Sequence, residues 1–225
     1  MSLHDGRGAA TVGGRTAGSP GAIPSLAPEG VRQTAESVPA PPVARRAPPA
    51  WQPGSGALLM RHGETAWPTT PAGSRADATD LAPLTSHGID EVERQARAIS
   101  GLGIRRVVSS PLTRAMQSAH LVAVELGLTL EVEIDLREWC VDVSGRSHPM
   151  EVVDRALYAM WTGVRPDEHD GPNFEDVVDL RTRVDAALRR QVGRGPVLVV
   201  SHSVAIWSVT GLRILTADTV PWSIP

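Results

Sequence analysis

The segment Leu59-Met60-Arg61-His62-Gly63-Glu64-Thr65 carries the strongest indication of the fold, because a short apolar run stops there at a cation and an imidazole. Arginine is permanently charged, and its planar fork matches phosphate oxygens. Neutral imidazole can attack a phosphorus centre, and glycine lets the backbone turn sharply or approach a ligand closely. Three residues are a weak signal on their own. The segment points to a phosphate site only if other parts of the chain supply partners for it.

The composition excludes several classes of protein. The formal charge of −3 over 225 residues does not suggest a general nucleic-acid or membrane-surface binder. No apolar run reaches the roughly 18 residues of a membrane span, and we read no secretory signal, so we expect a cytoplasmic location. All 22 basic residues are arginines, which excludes Schiff-base lysine chemistry and a lysine-containing P-loop. The single Cys140 cannot form an internal disulfide.

Residues 1–56 are rich in Gly, Pro, Ala and Ser and show no sustained apolar period. Such a sequence buries too little apolar surface to offset its ordering entropy. We therefore predict a disordered extension over residues 1–56 and a folded domain over residues 57–225. A tail that docks a partner is the alternative reading of the first segment.

Strand and helix patterns alternate along the predicted domain. Apolar or alternating runs predict strands at Ala57–Met60, Ile104–Ser109, Thr129–Ile134 and Pro196–Ser201. Helical spacing and capping residues predict helices that begin at Thr85 or Ser86, at Ser110-Pro111, near residue 150, at Asn173 and near Val204. This alternation predicts a three-layer α/β sandwich around a mainly parallel central sheet.

A second apolar strand also ends in a histidine, within Ser201-His202-Ser203. In open α/β sheets, ligands bind beyond the carboxyl ends of the strands. His62 and His202 are therefore expected to reach one crevice, although a histidine at a strand end is more often structural than catalytic. The presence of two such histidines, one of them beside Arg61, favours a shared site.

Arg114 is the third expected member of this site. It follows the predicted helix start at Ser110-Pro111, and helical side chains lean back toward the N-terminus. Free N–H groups and the helix dipole favour anions at the same place. A solvated surface arginine is the alternative.

Five segments, taken in order, resemble the histidine phosphatase superfamily, also called the phosphoglycerate mutase-like family. They are LMRHGET (59–65), APLTSHG (82–88), SSPLTRAMQSA (109–119), LRE (136–138) and VLVVSHS (197–203). The resemblance covers roughly residues 57–222. It implies the phosphoglycerate mutase-like fold and a phosphohistidine mechanism.

The resemblance also implies a role for each residue that matches by position. His62 resembles the nucleophile that accepts the phosphoryl group, and Arg61, Arg114 and His202 resemble the rest of the phosphate pocket. We expect His202 to be protonated and the neighbouring cations to keep His62 neutral. Glu138 resembles the general acid, which protonates the leaving alkoxide and later activates water.

Further residues receive weaker assignments. Thr65 and Ser203 are candidate substrate-binding residues, and Asp142 is the reserve candidate for the acid. We expect a supporting role for Glu64 and a structural one for Glu175, which resembles a family acid that pairs with a basic neighbour. The remaining predictions are a small buried thiol at Cys140 and surface or capping histidines at His87, His120, His148 and His169.

The chain departs from the family pattern at several points. Trp67-Pro68 replaces a frequent Trp-Asn pair, which removes a common substrate contact and counts against a phosphoglycerate mutase. Ser203 replaces the usual glycine, and the segment after Glu138 does not follow the mutase pattern. Family members commonly continue into one more strand beyond the position of Pro225, and its absence predicts either an exposed sheet edge or a native chain longer than this one.

The sequence therefore predicts a metal-independent phosphatase, without a cofactor, that acts on a small phosphorylated substrate. A mutase that returns the phosphoryl group to its substrate and a non-catalytic module that binds phosphorylated ligands are the alternatives. The loops at 66–84 and 140–172 are expected to recognise the substrate.

Overall fold

The computed structural model describes residues 51–67, 79–146, 148–162 and 173–224. The elements are β1 (Ala57–Arg61), α1 (Ser86–Ile99), β2 (Arg106–Ser109), α2 (Thr113–Leu126), β3 (Leu130–Val132), α3 (Met150–Thr162), α4 (Val177–Val192), β4 (Val197–Ser201), α5 (Ser203–Thr210) and β5 (Thr219–Trp222). No helix within these ranges is long and apolar enough to cross a bilayer.

The strands form one sheet in the order β3-β2-β4-β1-β5. β1, β2, β3 and β4 all run parallel to one another, whereas β5 pairs antiparallel with β1. Successive side chains along a strand point to opposite faces of the sheet. Both faces are apolar here, and helices cover each of them. The mainly parallel three-layer architecture is thus confirmed.

The two faces of β1 show how the layers are built. Leu58 and Met60 pack with α1 and α2, while Ala57 and Leu59 pack with α3, α4 and α5. All four side chains are almost completely buried, as a strand at the centre of a covered parallel sheet requires.

Trp51 extends the ordered part of the chain beyond the predicted boundary at residue 57. Its side chain is 8% exposed and belongs to the core beside α1 and α2. Residues 51–56 therefore belong with the folded unit, and the rest of the predicted disordered extension lies outside the described residues.

The strand β5 was not predicted from the sequence, and it forms the edge of the sheet beside β1. Thr219–Trp222 pairs with Met60–Ala57 in register. The sequence pattern missed this strand because Pro221 interrupts it. Proline donates no ladder hydrogen bond and is tolerated on an edge strand, which is the position of β5.

Two helix starts also differ from prediction. α2 begins at Thr113 after a cap at Leu112, not at Ser110, because the Ser110 hydroxyl faces His202. α4 is capped by Asp176, whose carboxylate accepts a hydrogen bond from the Val178 amide at 2.8 Å. Asn173 lies too far upstream to cap this helix.

Candidate active site

The ends of β1 and β4 place His62 and His202 side by side. Arg61 pairs with Ser201 in the parallel ladder, and the His62 amide donates to the Ser201 carbonyl at 3.1 Å. The two imidazole rings follow directly, with centroids 5.1 Å apart. The expectation that the two strand-terminal histidines reach one place is therefore confirmed.

The hydrogen bonds of His62 define which ring nitrogen can react. Nδ1 lies 2.7 Å from the Gly63 carbonyl, so we assign the proton to Nδ1 from this acceptor. The Arg114 Nε–H group then donates to His62 Nε2 at 3.3 Å. The Thr65 hydroxyl lies 3.3 Å from Nδ1 and donates to the same carbonyl. Nε2 thus carries the lone pair.

Burial keeps His62 neutral. Loss of solvation lowers the pKa of His62 to about 3, against an upward contribution from the Gly63 hydrogen bond, and the charges of Arg114 and Arg61 lower it further. The predicted neutral state is therefore found. Its main cause is burial, however, and the cations assigned this effect from the sequence are secondary.

His202 is completely buried. Its Nε2 lies 2.7 Å from the Ser110 hydroxyl, and Nδ1 has no hydrogen-bond partner within the described residues. Burial, followed by the positive surroundings, lowers the pKa of His202 well below its ordinary value. The expectation of a protonated His202 is therefore wrong for the site as it stands, because desolvation disfavours the charged ring.

The two arginines approach His62 from different elements. Arg61 donates from Nη1 to the Ile214 carbonyl at 3.0 Å, and its buried Nε has no hydrogen-bond partner within the described residues. Arg114, near the start of α2, is 5% exposed, and its guanidinium carbon lies 5.0 Å from the centre of the Trp67 ring.

Gly63 is required by close packing against α1. A Cβ atom at Gly63 would lie 2.4 Å from the Gly88 carbonyl oxygen, and one at Gly88 would lie 2.2 Å from the Glu64 carbonyl oxygen. The Gly63 amide also donates to the Ser118 hydroxyl at 3.1 Å. These contacts fix the turn that presents His62.

Glu138 sits at the N-terminus of α5, where backbone amides converge. Its Oε1 accepts from Trp139 at 2.9 Å and from Ala205 at 3.0 Å, and Oε2 accepts from Val204 at 3.3 Å. A helix N-terminus favours a carboxylate. Glu138 therefore has a fixed orientation, and it lines the same cavity as His62.

A buried ion pair braces the segment that carries Glu138. Glu175 accepts from Arg183 Nε at 2.6 Å and Nη2 at 2.8 Å. The same guanidinium donates to the carbonyls of Asp135, Arg137 and Glu138, each within 2.9 Å. The structure thus gives Glu175 the predicted pairing with a basic neighbour.

Asp142 is surrounded by donors. Oδ1 accepts from the Ser144 amide at 2.8 Å, and Oδ2 lies 2.6 Å from His148 Nε2 and 3.3 Å from Arg146 Nε. Hydrogen bonds from Ser144 and His148 hold the pKa of Asp142 well below its usual range. A carboxyl group so strongly held in its ionised form is a poor proton donor, which counts against Asp142 as the reserve acid.

His148 is not the surface residue expected from the sequence. Its side chain is 14% exposed, bonds to Asp142 and lines the cavity. Nearby, burial raises the pKa of the Cys140 thiol, which donates to the Asp142 carbonyl at 3.2 Å. Cys140 is only partly buried and lines the cavity, so the expectation of a small buried thiol is wrong.

The cavity has a volume of about 590 Å³. Its lining includes five of the seven predicted catalytic and substrate-binding residues, namely Arg61, His62, Arg114, Glu138 and Ser203, but neither His202 nor Thr65. Thr65 lies behind His62, and the structure places Glu64 outside, where it accepts from the Thr85 hydroxyl at 2.8 Å. Pro68 and His169 lie outside the described residues. No group of three His, Cys, Asp or Glu side chains suited to a metal ion occurs within the described ranges.

Sequence reasoning missed the residues that act through tertiary contacts. Ser110, Ser118 and Arg183 position His202, Gly63 and Glu138, respectively. Arg213 also lines the cavity. Their pairing depends on segments far apart in the chain, so no local spacing indicates it.

The fold and this site define a three-layer α/β protein in which strand ends and one helix deliver two histidines and two arginines to one place. Residues 57–219 match the family model of the histidine phosphatase superfamily (branch 1). The chain belongs to this superfamily, and the resemblance seen in the sequence is confirmed.

Individual relatives carry different activities in their names. The chain is 32% identical over 154 residues to the probable phosphoglycerate mutase GpmB of Enterobacter sp. (strain 638), covering 66% of this chain and 69% of that protein. Among solved structures, a mycobacterial glucosyl-3-phosphoglycerate phosphatase is similar with a TM-score of 0.54 at 22% identity, covering 69% of this chain and 77% of that one.

A phosphoserine phosphatase from Entamoeba histolytica, solved with 3-phosphoglyceric acid, is similar with a TM-score of 0.50 at 22% identity. The similar region covers 70% of this chain and 80% of the Entamoeba protein. At this identity the likeness shows the fold alone.

Proposed function

We propose that this chain is a metal-independent phosphatase that hydrolyses a small phosphomonoester through a phosphohistidine at His62. The observation that carries the proposal is the hydrogen-bonding state of His62. Nδ1 lies 2.7 Å from the Gly63 carbonyl and Nε2 faces the Arg114 guanidinium. A neutral ring with its lone pair beside a fixed cation is suited to attack a phosphoryl group whose oxygens that cation binds.

In the first step, His62 Nε2 attacks phosphorus and the bond from phosphorus to the ester oxygen breaks. Arg61 and Arg114 balance the charge of the phosphoryl oxygens. Glu138, in its protonated form, gives its proton to the departing oxygen, so that an alcohol leaves. Positioning and charge stabilisation account for most of the catalysis of such transfers.

In the second step, the Glu138 carboxylate takes a proton from water and the water oxygen attacks phosphorus. The phosphorus–nitrogen bond breaks, which returns His62 to its neutral state and releases inorganic phosphate. Glu138 ends protonated, ready for the next substrate. The backbone amides around Glu138 support this assignment, because they hold the carboxyl group at a fixed place on the cavity wall.

Buried polar atoms at the base of the site also favour an anionic ligand. Arg61 Nε and His202 Nδ1 have no hydrogen-bond partner within the described residues. Buried polar groups are rarely left unpaired, since each costs free energy. Phosphoryl oxygens beside Arg61 would supply an acceptor for its Nε–H group, and they would do the same for His202 when Nδ1 carries the ring proton.

A mutase is the second candidate, because the GpmB relatives carry that name. The replacement at Pro68 and the altered segment after Glu138 favour hydrolysis. A module that only binds phosphorylated ligands is a third candidate, and the complete set of reactive groups counts against it. We propose that the protein acts in the cytoplasm and binds neither nucleic acid nor a membrane.

The proposal is tested by phosphate release from p-nitrophenyl phosphate in the presence of EDTA. We expect steady turnover that needs no bisphosphorylated primer. Strict dependence on such a primer, with interconversion of phosphoglycerates, would establish the mutase instead. Phosphate binding without turnover of any monoester would establish the binding module.

A further inference from the structure

Arg213 lies in the segment that follows α5 and runs back along β1. This segment is tied to Arg61 at three points. The Arg61 side chain donates to the Ile214 carbonyl at 3.0 Å, the Ala217 amide donates to the Arg61 carbonyl at 3.1 Å, and the Arg61 amide donates to the Asp218 carbonyl at 3.1 Å. The residue next to Arg213 is therefore fixed directly to the arginine that precedes His62.

The backbone of this segment adopts an uncommon conformation. Ala217 has φ of 58°, and it is the only residue other than glycine with positive φ among the described residues. Left-handed backbone at such a residue is unfavourable and is found where the surrounding structure enforces it, often at functional sites. The tight return along β1 imposes this conformation.

The Arg213 side chain is supported by tryptophans. Its guanidinium carbon lies 5.3 Å from the centre of the Trp161 ring, and Trp161 packs edge-on against Trp207 with ring centroids 4.4 Å apart. A guanidinium over an indole ring is attracted to the ring face, which restricts where the cation lies. Arg213 thus presents a positioned cation to the cavity that Arg61 and His62 also line.

Arg213 and Arg61 are close enough to repel each other. Burial is the main cause of the lowered pKa of Arg61 and the Glu138 charge opposes it, but the charge of Arg213 lowers that pKa further. Two like charges held near each other by a rigid segment are stabilised when an anion lies between them. A phosphoryl group carries two negative charges and several acceptor oxygens.

We propose that Arg213 is a third arginine that binds the phosphoryl group of the substrate, together with Arg61 and Arg114. The assignment rests on the proposed function, and it adds a residue from the segment after α5 to the groups at the strand ends. Arg213 would contact the phosphoryl oxygens themselves. The nature of the alcohol would then matter little to this contact.

The test uses inorganic phosphate and orthovanadate, which carry no alcohol group. Their affinities are measured by calorimetric titration and by competitive inhibition of p-nitrophenyl phosphate hydrolysis. In Arg213→Gln we expect both affinities to fall about tenfold or more, as for loss of a charge-assisted hydrogen bond. Arg213→Lys, which keeps the charge but loses the fork, should recover part of this loss.

Arg97→Gln is the matched control, because Arg97 lies on α1 outside the cavity lining, with a side chain 56% exposed. It removes the same charge, and we expect an affinity change below about twofold. Thermal unfolding establishes that each variant is folded. If Arg213→Gln does not fold, Arg213→Met, which keeps an apolar stem against Trp161, takes its place.

The proposal is wrong if the Arg213 variants bind phosphate and vanadate as the wild type does. A variant that loses activity only toward esters whose alcohol portion carries a carboxylate also contradicts the proposal. Arg213 would then contact the alcohol portion of the substrate and not the phosphoryl group. Failure of the wild type to hydrolyse any monoester would instead contradict the proposed function. The titration with phosphate would still decide the role of Arg213 in that case.

Discussion

The Arg114 guanidinium donates to His62 Nε2 across 3.3 Å, so a helix that begins beyond β2 directly contacts the imidazole that ends β1. This contact and the Gly63 carbonyl on the opposite nitrogen orient the His62 ring, while burial is the main cause of its neutral state. The contact with Arg114 also places a phosphate-binding cation at the nitrogen that would carry the phosphoryl group.

Glu138→Gln should separate the two roles of the acid. The amide still accepts backbone hydrogen bonds but cannot give a proton to the leaving oxygen, so first-turnover release of an alkyl alcohol should fall about 10²- to 10⁴-fold. Release of p-nitrophenol should fall far less, because its oxygen leaves without protonation. Rapid-quench measurements with both esters check this.

Glu64→Gln is the control for Glu138→Gln, since Glu64 lies outside the cavity and bonds to Thr85. Its activity should stay close to that of the wild type. Equal losses for alkyl and p-nitrophenyl phosphate in Glu138→Gln would argue that Glu138 only positions other groups.

The pKa of His62 predicts a specific dependence of stability on pH. Between pH 6.5 and about 3 the unfolded chain protonates this imidazole and the folded chain does not. The folded state therefore loses stability as pH falls through this window. His62→Gln lacks this effect, so the wild type should lose up to ~1.4 kcal/mol per pH unit relative to the variant.

Urea unfolding of the wild type and His62→Gln between pH 6 and pH 4, in phosphate-free buffer, measures this difference. Contributions from carboxylates and from His202 are common to both proteins and largely cancel. A difference in unfolding free energy that does not change with pH would show that His62 titrates normally in the folded state.

The Glu175–Arg183 pair should contribute strongly to stability. Both side chains are almost buried, with exposures of 9% and 12%, and breaking a buried pair costs about 3–5 kcal/mol. We expect a loss of this size in Glu175→Gln, measured by urea unfolding. Asp185→Asn makes the same change in an exposed pair with Arg189, and should cost less than about 1 kcal/mol. Similar losses in the two variants would contradict the bracing role.

Gly88→Ala should destabilise the protein although alanine is the better helix former. The helix preference favours alanine by about 1 kcal/mol, but the new methyl group would lie 2.2 Å from the Glu64 carbonyl oxygen. We expect a net loss of about 1–3 kcal/mol and lower activity, since the turn at Gly63 must shift. Gly101→Ala, with nothing within 4 Å of its methyl group, should be nearly neutral, and an equally neutral Gly88→Ala would refute the packing argument.

The sequence predicted the parts of this molecule that depend on local pattern. The apolar runs before His62 and His202 identified two strands, which the structure shows to be adjacent and parallel, and the alternation of elements identified the layers. Ser110 was misassigned as a helix cap because its hydroxyl is used by His202, which is 92 residues away in the chain. A capping rule that considers only neighbouring residues cannot predict such a distant partner.

The features that the sequence did not predict all depend on contacts between segments far apart in the chain. Pro221 hid an edge strand because strand patterns exclude proline without knowing which strand is at the edge. Arg183 braces the Glu138 segment, and Arg213 lines the cavity through a segment that returns to β1. These roles arise from packing between distant segments and from burial, which also sets the protonation of both histidines.

The phosphohistidine at His62 is the central intermediate of the proposed mechanism. Its most direct measurement is the chemical stability and position of phosphate bound to the protein after a rapid quench with labelled substrate. We expect phosphate that is labile in acid, stable in base, located on the peptide containing His62, and absent from a folded His62→Ala variant. Phosphate on another residue, or substantial turnover by His62→Ala, would contradict the account.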